Sequence, residues 1–357
     1  MEKLKTDLKF WKNRRVFITG HTGFKGGWTA LCLSELGAKV YGYSLAPKTK
    51  TSFFEVTQLK KIFSQSHFAN ILDLKKLIKA INASKPTIVI HMAAQSLVLD
   101  SYKKPIETFA TNVIGTANVI EAARYTSTVK AIINVTSDKC YENNEIVKPF
   151  KENNRLGGSD PYSCSKACSE LITSAYRKSF FLNKSSRISI ASVRAGNVIG
   201  GGDWAANRLI PDFFKSLNFN KPLLIRHPRS IRPWQHVLDP INGYLILSKK
   251  LVKFGHKYSE AWNFGPNYSY NKSVLSVINI MIKKMGKKVE LKFDRSAKYF
   301  ESQILNLDTS KAKKRLNWSS KWNLDKTLEK TVDWYKAWKN KEDMKKFSIK
   351  QIHEFYK

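Results

Sequence analysis

Short apolar runs alternate with amphipathic stretches through the first half of the chain. Apolar residues at intervals of three and four predict helices over 24–36, 73–82, 105–125 and 161–181. The runs between them predict strands over 15–19, 39–43, 67–71, 87–91, 130–136 and 187–193. Such strict alternation is typical of an α/β domain with a doubly wound parallel sheet. Right-handed crossovers bring the carboxyl ends of the strands to one edge, where ligands bind.

The pattern changes after Arg194, where glycine and proline become frequent. Further elements are predicted as helices near 207–217, 240–254, 272–285 and 324–339 and as a strand over 261–264. We therefore predict a sheet domain over 1–194 and a smaller lobe mainly over 195–357, with segments near 235–265 returning to the sheet. The tryptophans expected to pack this lobe are Trp318, Trp322, Trp334 and Trp338. A platform for stacking nucleic-acid bases is the alternative for them.

The charge of the chain is unusual. Its 357 residues include 62 Lys+Arg and 28 Asp+Glu, which gives a net charge of +34. This excess favours nucleic acid, a membrane surface or anionic small molecules as partners. The lysines form scattered doublets such as Lys60-Lys61 and Lys287-Lys288 rather than one long basic block. Solvated surfaces and a small anionic ligand fit this distribution best, and nucleic-acid binding stays open as an alternative.

The cysteines and the amino-terminal region point to an ordinary cytoplasmic protein. Cys32, Cys140, Cys164 and Cys168 form no Cys-x-x-Cys pair, and no histidine joins them into a metal set. We therefore predict reduced thiols and no metal site. Residues 1–15 lack the apolar core of a signal peptide, and no apolar stretch is long enough to span a bilayer. These features predict a cytoplasmic location and no membrane partner.

Three glycines at intervals of three follow the first predicted strand. Gly20, Gly23 and Gly26 lead directly into the predicted helix over 24–36. Backbone N–H groups at such a turn face a bound phosphate, and glycine lets the anion come close. On their own, three glycines are also explained by a plain tight turn. Together with the alternating strands and helices, they predict the nucleotide-binding start of a Rossmann-type fold.

The second predicted strand ends without the acidic residue that often holds the ribose hydroxyls of NAD. Residues 41–45 contain no acid, and Lys48 and Lys50 follow them. By itself, this pattern leaves both NAD and NADP open as cofactors.

Tyr162 and Lys166 lie four residues apart in a predicted helix and so share one face. A phenol has a reference pKa of about 10 and is a poor base at neutral pH. A neighbouring ammonium stabilises the phenolate, and Ser137 can hydrogen-bond a reacting hydroxyl. The three residues predict proton removal from an alcohol during hydride transfer to a nicotinamide. In isolation, a tyrosine and a lysine at this spacing are better explained as helix surface, because the pattern often occurs by chance.

Four motifs, in this order and at strand ends, resemble the extended short-chain dehydrogenase/reductase family. They lie at 20–26, 91–94, 136–139 and 162–166, and the resemblance covers nearly the whole chain. Longer blocks at 20–26, 136–143, 194–204 and 231–237 are similar to the nucleotide-sugar 4,6-dehydratases. Most of those enzymes carry Asp-Glu after the active-site hydroxyl residue. Asp138-Lys139 stands there in this chain and resembles the members that act on CDP-glucose.

The resemblance implies dehydration of a sugar without net redox change. Tyr162 would take the C4 hydroxyl proton while hydride passes from C4 to NAD. Water would then leave across C5 and C6, and hydride would return to C6 to give a 4-keto-6-deoxy sugar. Asp138 is implied as the acid that protonates the leaving C6 hydroxyl, which requires a raised pKa. Lys139 is implied as the base at C5, although support of Asp138, or an acid–base role shared with it, stays open.

The same resemblance implies NAD as a tightly held cofactor and CDP-glucose as the substrate. Besides Tyr162 and Lys166, its NAD-binding positions correspond to Gly20, Thr22, Gly23, Phe24, Lys25, Gly26, Asp73, Leu74, Ala93, Gln95 and Thr111. Asp73 is equally explained as a helix cap. Its substrate-binding positions correspond to Ser96, Ser137, Asn197, Arg208, Arg232 and Asn263. Arginine suits the diphosphate because a guanidinium binds phosphate through two parallel hydrogen bonds.

The family also suggests how the chain is organised and used. Residues 1–194 would be the NAD-binding domain, and residues 195–357 mainly the substrate-binding lobe. The helices over 105–125 and 162–181 would pair two copies into a homodimer. The product would supply deoxysugar synthesis for surface polysaccharide, such as lipopolysaccharide O-antigen. A nucleotide-sugar epimerase, a dehydratase for another nucleotide sugar and a basic nucleic-acid-binding protein stay open as alternatives.

Overall fold

The computed structural model describes residues 8–47, 49, 51–143, 148–183, 186–267, 271–294 and 305–357. Its strands are β1 (Arg15–Thr19), β2 (Lys39–Ser44), β3 (Phe63–Phe68), β4 (Ile88–His91), β5 (Ala131–Val135), β6 (Ser189–Ala195), β7 (Val198–Ile199), β8 (Leu223–Ile225), β9 (Ile231–Arg232), β10 (Gln235–His236), β11 (Ala261–Phe264), β12 (Lys272–Ser273) and β13 (Leu291–Phe293).

The helices follow the same chain order. They are α1 (Phe24–Glu35), α2 (Phe53–Val56), α3 (Leu74–Ser84), α4 (Val98–Lys103), α5 (Pro105–Phe109 and Gly115–Arg124, joined by a π-helical turn at Ala110–Ile114), α6 (Pro161–Tyr176, extended by a π-helical turn at Arg177–Phe181), α7 (Leu209–Phe219), α8 (Leu238–Phe254), α9 (Val274–Met285), α10 (Ser310–Leu316), α11 (Leu324–Lys339) and α12 (Met344–Tyr356).

Seven strands form one parallel sheet in the order β11-β6-β5-β4-β1-β2-β3. This confirms the predicted doubly wound sheet, including the strand over 261–264. Thr19 at the end of β1 pairs with Tyr43 and His91, and His91 pairs with Asn134. The strand order reverses between β1 and β4, and ligands of such sheets bind outside this point. The residues that follow β1, β2, β4 and β5 therefore meet at one edge.

Helices cover both faces of the sheet, which explains why β1 is apolar without alternation. Val16 and Ile18 face one core, which they share with Trp28 of α1. Phe17 faces the other core, together with Leu77 of α3. Two independent cores thus fix the position of the edge where the strand ends meet.

The predicted strand over 67–71 is wrong, because β3 runs Phe63–Phe68. β3 is the last strand of the sheet, and most of its side chains are partly or fully exposed. An edge strand of this kind is held by backbone pairing with β2 and carries no apolar run to reveal it. The helices α2, α4, α10 and α12 are also absent from the prediction.

The carboxyl-terminal helices α11 and α12 pack on each other and against α9 and α1. Trp318, Trp322 and Trp334 are buried, and Trp338 is partly buried against the same core, which confirms their expected packing role. The division of the chain into two domains at residue 194 stays a prediction. Among the described residues, no helix combines the length and the apolar character needed to cross a membrane.

Candidate active site

The turn after β1 has no room for side chains at two of its glycines. Gly20 has a φ of +76°, and a Cβ there would lie 2.7 Å from the backbone nitrogen of Ala93. A Cβ on Gly26 would collide with the carbonyl oxygen of Gly20. Gly23 stands directly before α1, and among the described residues only the Gly20 carbonyl oxygen lies near its Cβ position, at 3.4 Å. The amino end of α1 is therefore open above a close-packed turn, which fits the diphosphate of a dinucleotide.

Hydroxyl groups stand at the end of β2, where many NAD-binding folds carry an acid. Thr22 Oγ1 and Ser44 Oγ lie 2.9 Å apart. The ring of His21 packs against Gly42, where a Cβ would lie 2.6 Å from its Cδ2, and its Nε2 is 2.8 Å from Ser66 Oγ. Burial lowers the pKa of His21 to about 4, so the ring is neutral at pH 7. His21 is a residue of this turn that the sequence motif did not mark.

Asp73 is a helix cap, as the sequence predicts. Its Oδ1 accepts a hydrogen bond of 3.0 Å from the backbone N–H of Lys76 in the first turn of α3. This hydrogen bond lowers the pKa of the carboxyl group. The contact of Asp73 and Leu74 with adenine stays a prediction. Lys48 and Lys50, which left the choice between NAD and NADP open, lie outside the described residues.

The loop after β4 is organised by one buried amide. Asn112 Oδ1 accepts from Gln95 N, and Asn112 Nδ2 donates to Gln95 O, each at 2.9 Å. Asn112 Nδ2 also donates to Ser165 Oγ on α6 at 2.8 Å. The side chain of Gln95 bonds to Leu97 and Thr108 within its own neighbourhood. Thr111, which the sequence predicts as a cofactor contact, directly precedes Asn112 in the π-helical turn and is partly buried.

The segment after β5 places three predicted catalytic residues side by side. Ser137 Oγ donates to Asp138 Oδ1 at 3.0 Å and accepts from Lys139 N at 3.2 Å. Tyr162, in the first turn of α6, shares a side-chain hydrogen bond with Ser137. Lys166 lies one turn later and donates from Nζ to the carbonyl of Val135 at 3.3 Å. Ser137, Tyr162 and Lys166 therefore meet at the end of β5.

Burial shifts the pKa values of Tyr162 and Lys166 in opposite directions, and both shifts favour the uncharged side chain. It raises the pKa of Tyr162 to about 12, against the opposing effect of the neighbouring Ser137 hydroxyl group. It lowers the pKa of Lys166 to about 8, against the negative charge of Glu170. Burial alone therefore makes the phenolate harder to form. A cation bound beside both residues would lower the pKa of Tyr162 and turn it into a usable base.

Asp138 holds its proton more readily than an exposed aspartate. Burial raises the pKa of its carboxyl group, although the charges of Lys139, Arg232 and Lys25 and the hydrogen bond from Ser137 oppose the shift. Its Oδ2 lies 2.9 Å from the Cβ position of Gly196, so this approach requires a glycine there. A carboxyl group with a raised pKa is better suited than an exposed aspartate to act as a general acid.

Lys25 brings a further ammonium group to the same region. Burial, together with the charges of Lys166 and Arg208, lowers its pKa to about 8, while Asp138 acts in the opposite sense. Phe24, the residue before it, points toward the other lobe, where its Cζ lies 3.3 Å from the Cβ position of Gly200. The first turn of α1 thus faces both the predicted cofactor turn and the predicted catalytic residues.

The predicted substrate arginines lie at the junction of the two parts of the chain. Arg208 donates to Ser96 Oγ at 2.8 Å and to Asp203 Oδ2 at 3.0 Å. It thereby bridges the loop after β4 and the segment before α7. Arg232 is buried, donates to the Ile231 carbonyl at 2.9 Å and contributes its charge near Asp138. Asn197, between β6 and β7, is partly buried.

Asn263 lies apart from this junction, fully buried in β11. Its Oδ1 accepts a hydrogen bond of 2.7 Å from the Tyr141 hydroxyl. Its Nδ2 donates to the carbonyl oxygens of Phe150 at 2.8 Å and Asp308 at 3.2 Å. Every polar atom of this side chain is therefore bonded within the protein, and its predicted contact with substrate stays a prediction.

A buried ion pair that the sequence did not single out lies behind the predicted catalytic residues. Glu170 accepts from Thr136 Oγ1 and Ser192 Oγ at 2.6 Å, and from Nε and Nη2 of Arg194 at 2.9 Å each. Arg194 Nη1 also donates to the Tyr141 hydroxyl at 2.7 Å. The partnership with Arg194 lowers the pKa of Glu170 despite burial, so the carboxylate is charged at pH 7.

Comparison with known proteins identifies relatives along the whole chain. The family model described as GDP-mannose 4,6 dehydratase matches residues 17–331. A CDP-glucose 4,6-dehydratase of Salmonella typhimurium is 47% identical over 352 residues, which cover 98% of each chain.

Solved structures with the same fold have lower identity. An epimerase, Mth375, of Methanothermobacter thermautotrophicus superimposes with a TM-score of 0.81 at 21% identity, covering 95% of this chain and 97% of its own. A dTDP-glucose 4,6-dehydratase of Bacillus anthracis, in complex with NAD, has a TM-score of 0.74 at 22% identity, covering 90% and 96%. At these identities the likeness concerns the fold.

Proposed function

The chain belongs to the GDP-mannose 4,6-dehydratase family within the extended short-chain dehydrogenases/reductases, and from that membership we propose that it converts CDP-glucose into CDP-4-keto-6-deoxyglucose. The observation that carries the proposal is the 47% identity, over 98% of both chains, to a CDP-glucose 4,6-dehydratase. Asp138-Lys139 after the hydroxyl of Ser137 supports the same choice. An epimerase needs no acid at C6, whereas the buried Asp138 suits that role.

NAD is the cofactor we propose, because the glycine turn and the open amino end of α1 fit a dinucleotide diphosphate. The bound cofactor would supply the acceptor for hydride from C4 of the sugar and the donor of hydride to C6. Gly20, Gly23 and Gly26 would let the backbone approach the phosphates. The exposed apolar side chains of Leu45 after β2, Phe68 at the end of β3 and Leu72 before α3 suit the adenine ring. The remaining proposed contacts are Thr22, Phe24, Lys25, Asp73, Leu74, Ala93, Gln95, Thr111, Tyr162 and Lys166.

Tyr162 removes the proton of the C4 hydroxyl in this proposal. Its pKa of about 12 in the free protein, with Lys166 already in place, is too high for a base at pH 7, so the positive charge of a bound cofactor must lower it. Ser137 shares a hydrogen bond with Tyr162 and can orient the same sugar hydroxyl. The proton thus moves from the sugar oxygen to the phenolate, within one hydrogen-bonded set.

Asp138 and Lys139 act at C6 and C5. Asp138 protonates the leaving C6 hydroxyl, for which its raised pKa is suited. Lys139 removes the C5 proton, which the 4-keto group makes acidic. Supporting Asp138 is the alternative role for Lys139, and its charge does oppose the rise in the Asp138 pKa.

The diphosphate of the substrate would lie against Arg208 and Arg232, with Ser96 and Asn197 beside it. Arg208 already bridges Ser96 and Asp203, so it is held in place before substrate arrives. Asn263 is the weakest member of the proposed set because its amide is fully used within the protein. Domain boundaries near residue 194, a cytoplasmic location and a role in surface-polysaccharide synthesis complete the proposal.

We also propose that two copies pair through α5 and α6. Four apolar side chains on these helices are more than 40% exposed. Exposed apolar surface of this kind is unfavourable in a monomer, and an interface between the helices of two copies would bury it. The four side chains are Ile106, Ile114, Leu171 and Phe180, at 80%, 55%, 58% and 45%.

Product analysis tests the proposed reaction. The purified protein is incubated with NAD and, in parallel, with CDP-glucose, UDP-glucose and dTDP-glucose. We expect a 4-keto-6-deoxy sugar from CDP-glucose, identified by mass spectrometry as the loss of one water. A 6-deoxy product from UDP- or dTDP-glucose alone would reassign the base specificity. Absence of product from all three would refute a 4,6-dehydratase.

A further inference from the structure

We propose that the buried Glu170–Arg194 pair is a clamp that positions both ends of the segment carrying Ser137, Asp138 and Lys139. The inference rests on the proposed function for its kinetic consequence and on the structure for the clamp itself. The segment begins at Thr136 and ends at Tyr141. The Thr136 hydroxyl donates a hydrogen bond to Glu170, and the Tyr141 hydroxyl accepts one from Arg194, so both ends of the segment contact the same ion pair.

The first end is held through helix α6. Tyr162, Lys166 and Glu170 follow one another at intervals of four residues and thus share a face. Along that face, Tyr162 bonds to Ser137, Lys166 donates to the carbonyl of Val135, and Glu170 accepts from Thr136 at 2.6 Å. Any shift of Thr136 would therefore move Ser137 relative to Tyr162.

The second end is held through strand β6. Arg194 uses one side of its guanidinium for Glu170 and donates from Nη1 to the Tyr141 hydroxyl at 2.7 Å. That hydroxyl donates in turn to Asn263 at 2.7 Å, and the ring of Tyr141 stacks on Phe150 with 4.8 Å between centroids. Tyr141 is thus fixed by β6 and β11, two neighbouring strands of the sheet.

The two ends should affect different steps of the reaction. Ser137 lies next to Thr136 and serves oxidation at C4, whereas Asp138 and Lys139 lie toward Tyr141 and serve elimination across C5 and C6. Loosening one end should therefore slow one step more than the other. Glu170, Arg194, Tyr141 and Asn263 touch no reacting atom in this account, and they are positioning residues.

Two conservative variants test the clamp while leaving the ion pair intact. Thr136→Val keeps the shape of the side chain and removes its hydrogen bond to Glu170. Tyr141→Phe keeps the ring and removes the hydroxyl between Arg194 and Asn263. Because Arg194 still has Glu170 as a partner in both, no buried charge is left unpaired. Ser348→Ala is the matched control, since it removes a buried 2.9 Å hydrogen bond to Trp334 far from the segment.

Rapid-quench single turnovers with CDP-glucose and NAD distinguish oxidation at C4 from elimination across C5 and C6, because each step yields a different sugar species at the time of quenching. We expect Thr136→Val to slow formation of any 4-keto sugar about tenfold, and Tyr141→Phe to slow loss of the C6 hydroxyl about tenfold, with a 4-keto sugar that retains this hydroxyl accumulating. The control should match the wild type. Equal slowing of both steps in both variants, or no change in either, would overturn the clamp.

Hydrogen exchange decides the question independently of turnover. In the Tyr141→Phe protein we expect exchange of the peptide spanning 139–142 to rise about fivefold, while peptides of α11 and α12 stay unchanged. Unaltered exchange in that peptide would overturn the clamp even in an active enzyme. A wild-type protein inactive on every nucleotide sugar, with the expected rise in exchange, would refute the proposed function and leave the clamp standing.

Discussion

Two buried carboxyl groups, Asp138 after β5 and Glu170 in α6, have pKa values that are shifted in opposite directions. Asp138 and Glu170 are 4% and 3% exposed, so desolvation acts on both. The pKa of Asp138 is nevertheless raised and that of Glu170 lowered. Burial alone therefore does not decide whether a carboxyl group in this protein is an acid or a fixed charge.

The difference lies in the paired Arg194 charge beside Glu170 and in the hydrogen bonds that each group accepts. Glu170 accepts four, two of them from the Arg194 guanidinium at 2.9 Å. Asp138 accepts one of 3.0 Å from Ser137, and the cations around it, Lys139, Arg232 and Lys25, act on it mainly through their charges. The charge of Arg194, and after it the hydrogen bonds to the charged form, hold Glu170 ionised, whereas burial raises the pKa of Asp138.

Replacing the acid should have the largest effect. Asp138→Asn keeps the size of the side chain but cannot deliver a proton, so we expect kcat for 4-keto-6-deoxy sugar to fall about 10³-fold. Exchange of the C5 hydrogen with solvent should persist. Asp212→Asn, a partly buried carboxyl group paired with Lys215 on α7, is the control and should retain activity. Undiminished dehydration by Asp138→Asn would end the distinction between the two carboxylates.

Replacing the fixed charge should instead affect stability. Glu170→Gln leaves the Arg194 charge buried without a counter-ion, and we expect the free energy of unfolding to fall by about 3 kcal/mol or more. Urea denaturation measures it. Glu260→Gln breaks pairs to Lys311 and Arg315 at a partly exposed site and should cost less than about 1 kcal/mol. Equal losses in the two variants would contradict a special role for Glu170.

Replacing Lys139 tests whether the base at C5 is a residue other than Asp138, the proposed acid at C6. If Lys139 takes the C5 proton, Lys139→Ala should lower the rate of C5 exchange with solvent about 10²-fold. Mass analysis of substrate recovered from deuterated water provides the rate. Exchange at the wild-type rate would remove the base assignment and leave Lys139 as a support for Asp138.

The smallest expected effect is on the pH dependence of stability, to which the two carboxyl groups should contribute with opposite signs. The pKa of Asp138 is raised in the folded state. Between the unfolded pKa of about 3.9 and this higher folded pKa, the folded state binds more protons than the unfolded state, so stability falls as the pH rises through this window. Glu170 has a lowered folded pKa, so it contributes stability above about pH 4.3 that is lost as pH falls through the folded value.

Denaturant titrations of Asp138→Asn and wild type across pH 3–8 measure this difference. The variant should become the more stable protein as pH rises, by up to about 1.4 kcal/mol per pH unit inside the window, and the gap should close in acid. A gap that widened toward low pH would reverse the sign assigned to Asp138.

Features encoded by short-range spacing could be predicted from the sequence. The glycines of the first turn, the Tyr162–Lys166 interval and the cap at Asp73 each depend on residues within one turn of one another. The parallel sheet followed from the alternation of elements. These patterns predict which residues follow which strand, and the register of the strands then brings Thr19, His91 and Asn134 into line.

Features that depend on distant pairing could not be predicted. Glu170 and Arg194 are 24 positions apart, and charged residues of this kind usually lie on the surface, so nothing local marks them as buried. The position of β3 was not predicted correctly, because an edge strand needs no apolar run that would mark it in the sequence. Asn263 was assigned by motif position, and the use of its amide by Tyr141, Phe150 and Asp308 depends on segments far away in sequence.

The π-helical turn Ala110–Ile114 limits how α5 can change in length during evolution. Such a turn holds one residue more than an α-turn, and each residue of a regular helix rotates the chain by about 100°. Asn112 lies inside it and joins Gln95 to Ser165. Losing one residue there would restore a regular helix but swing Pro105–Phe109 around its axis and carry Asn112 away from both partners. Alignment gaps among relatives should therefore fall in the loops beside α5 and never within it.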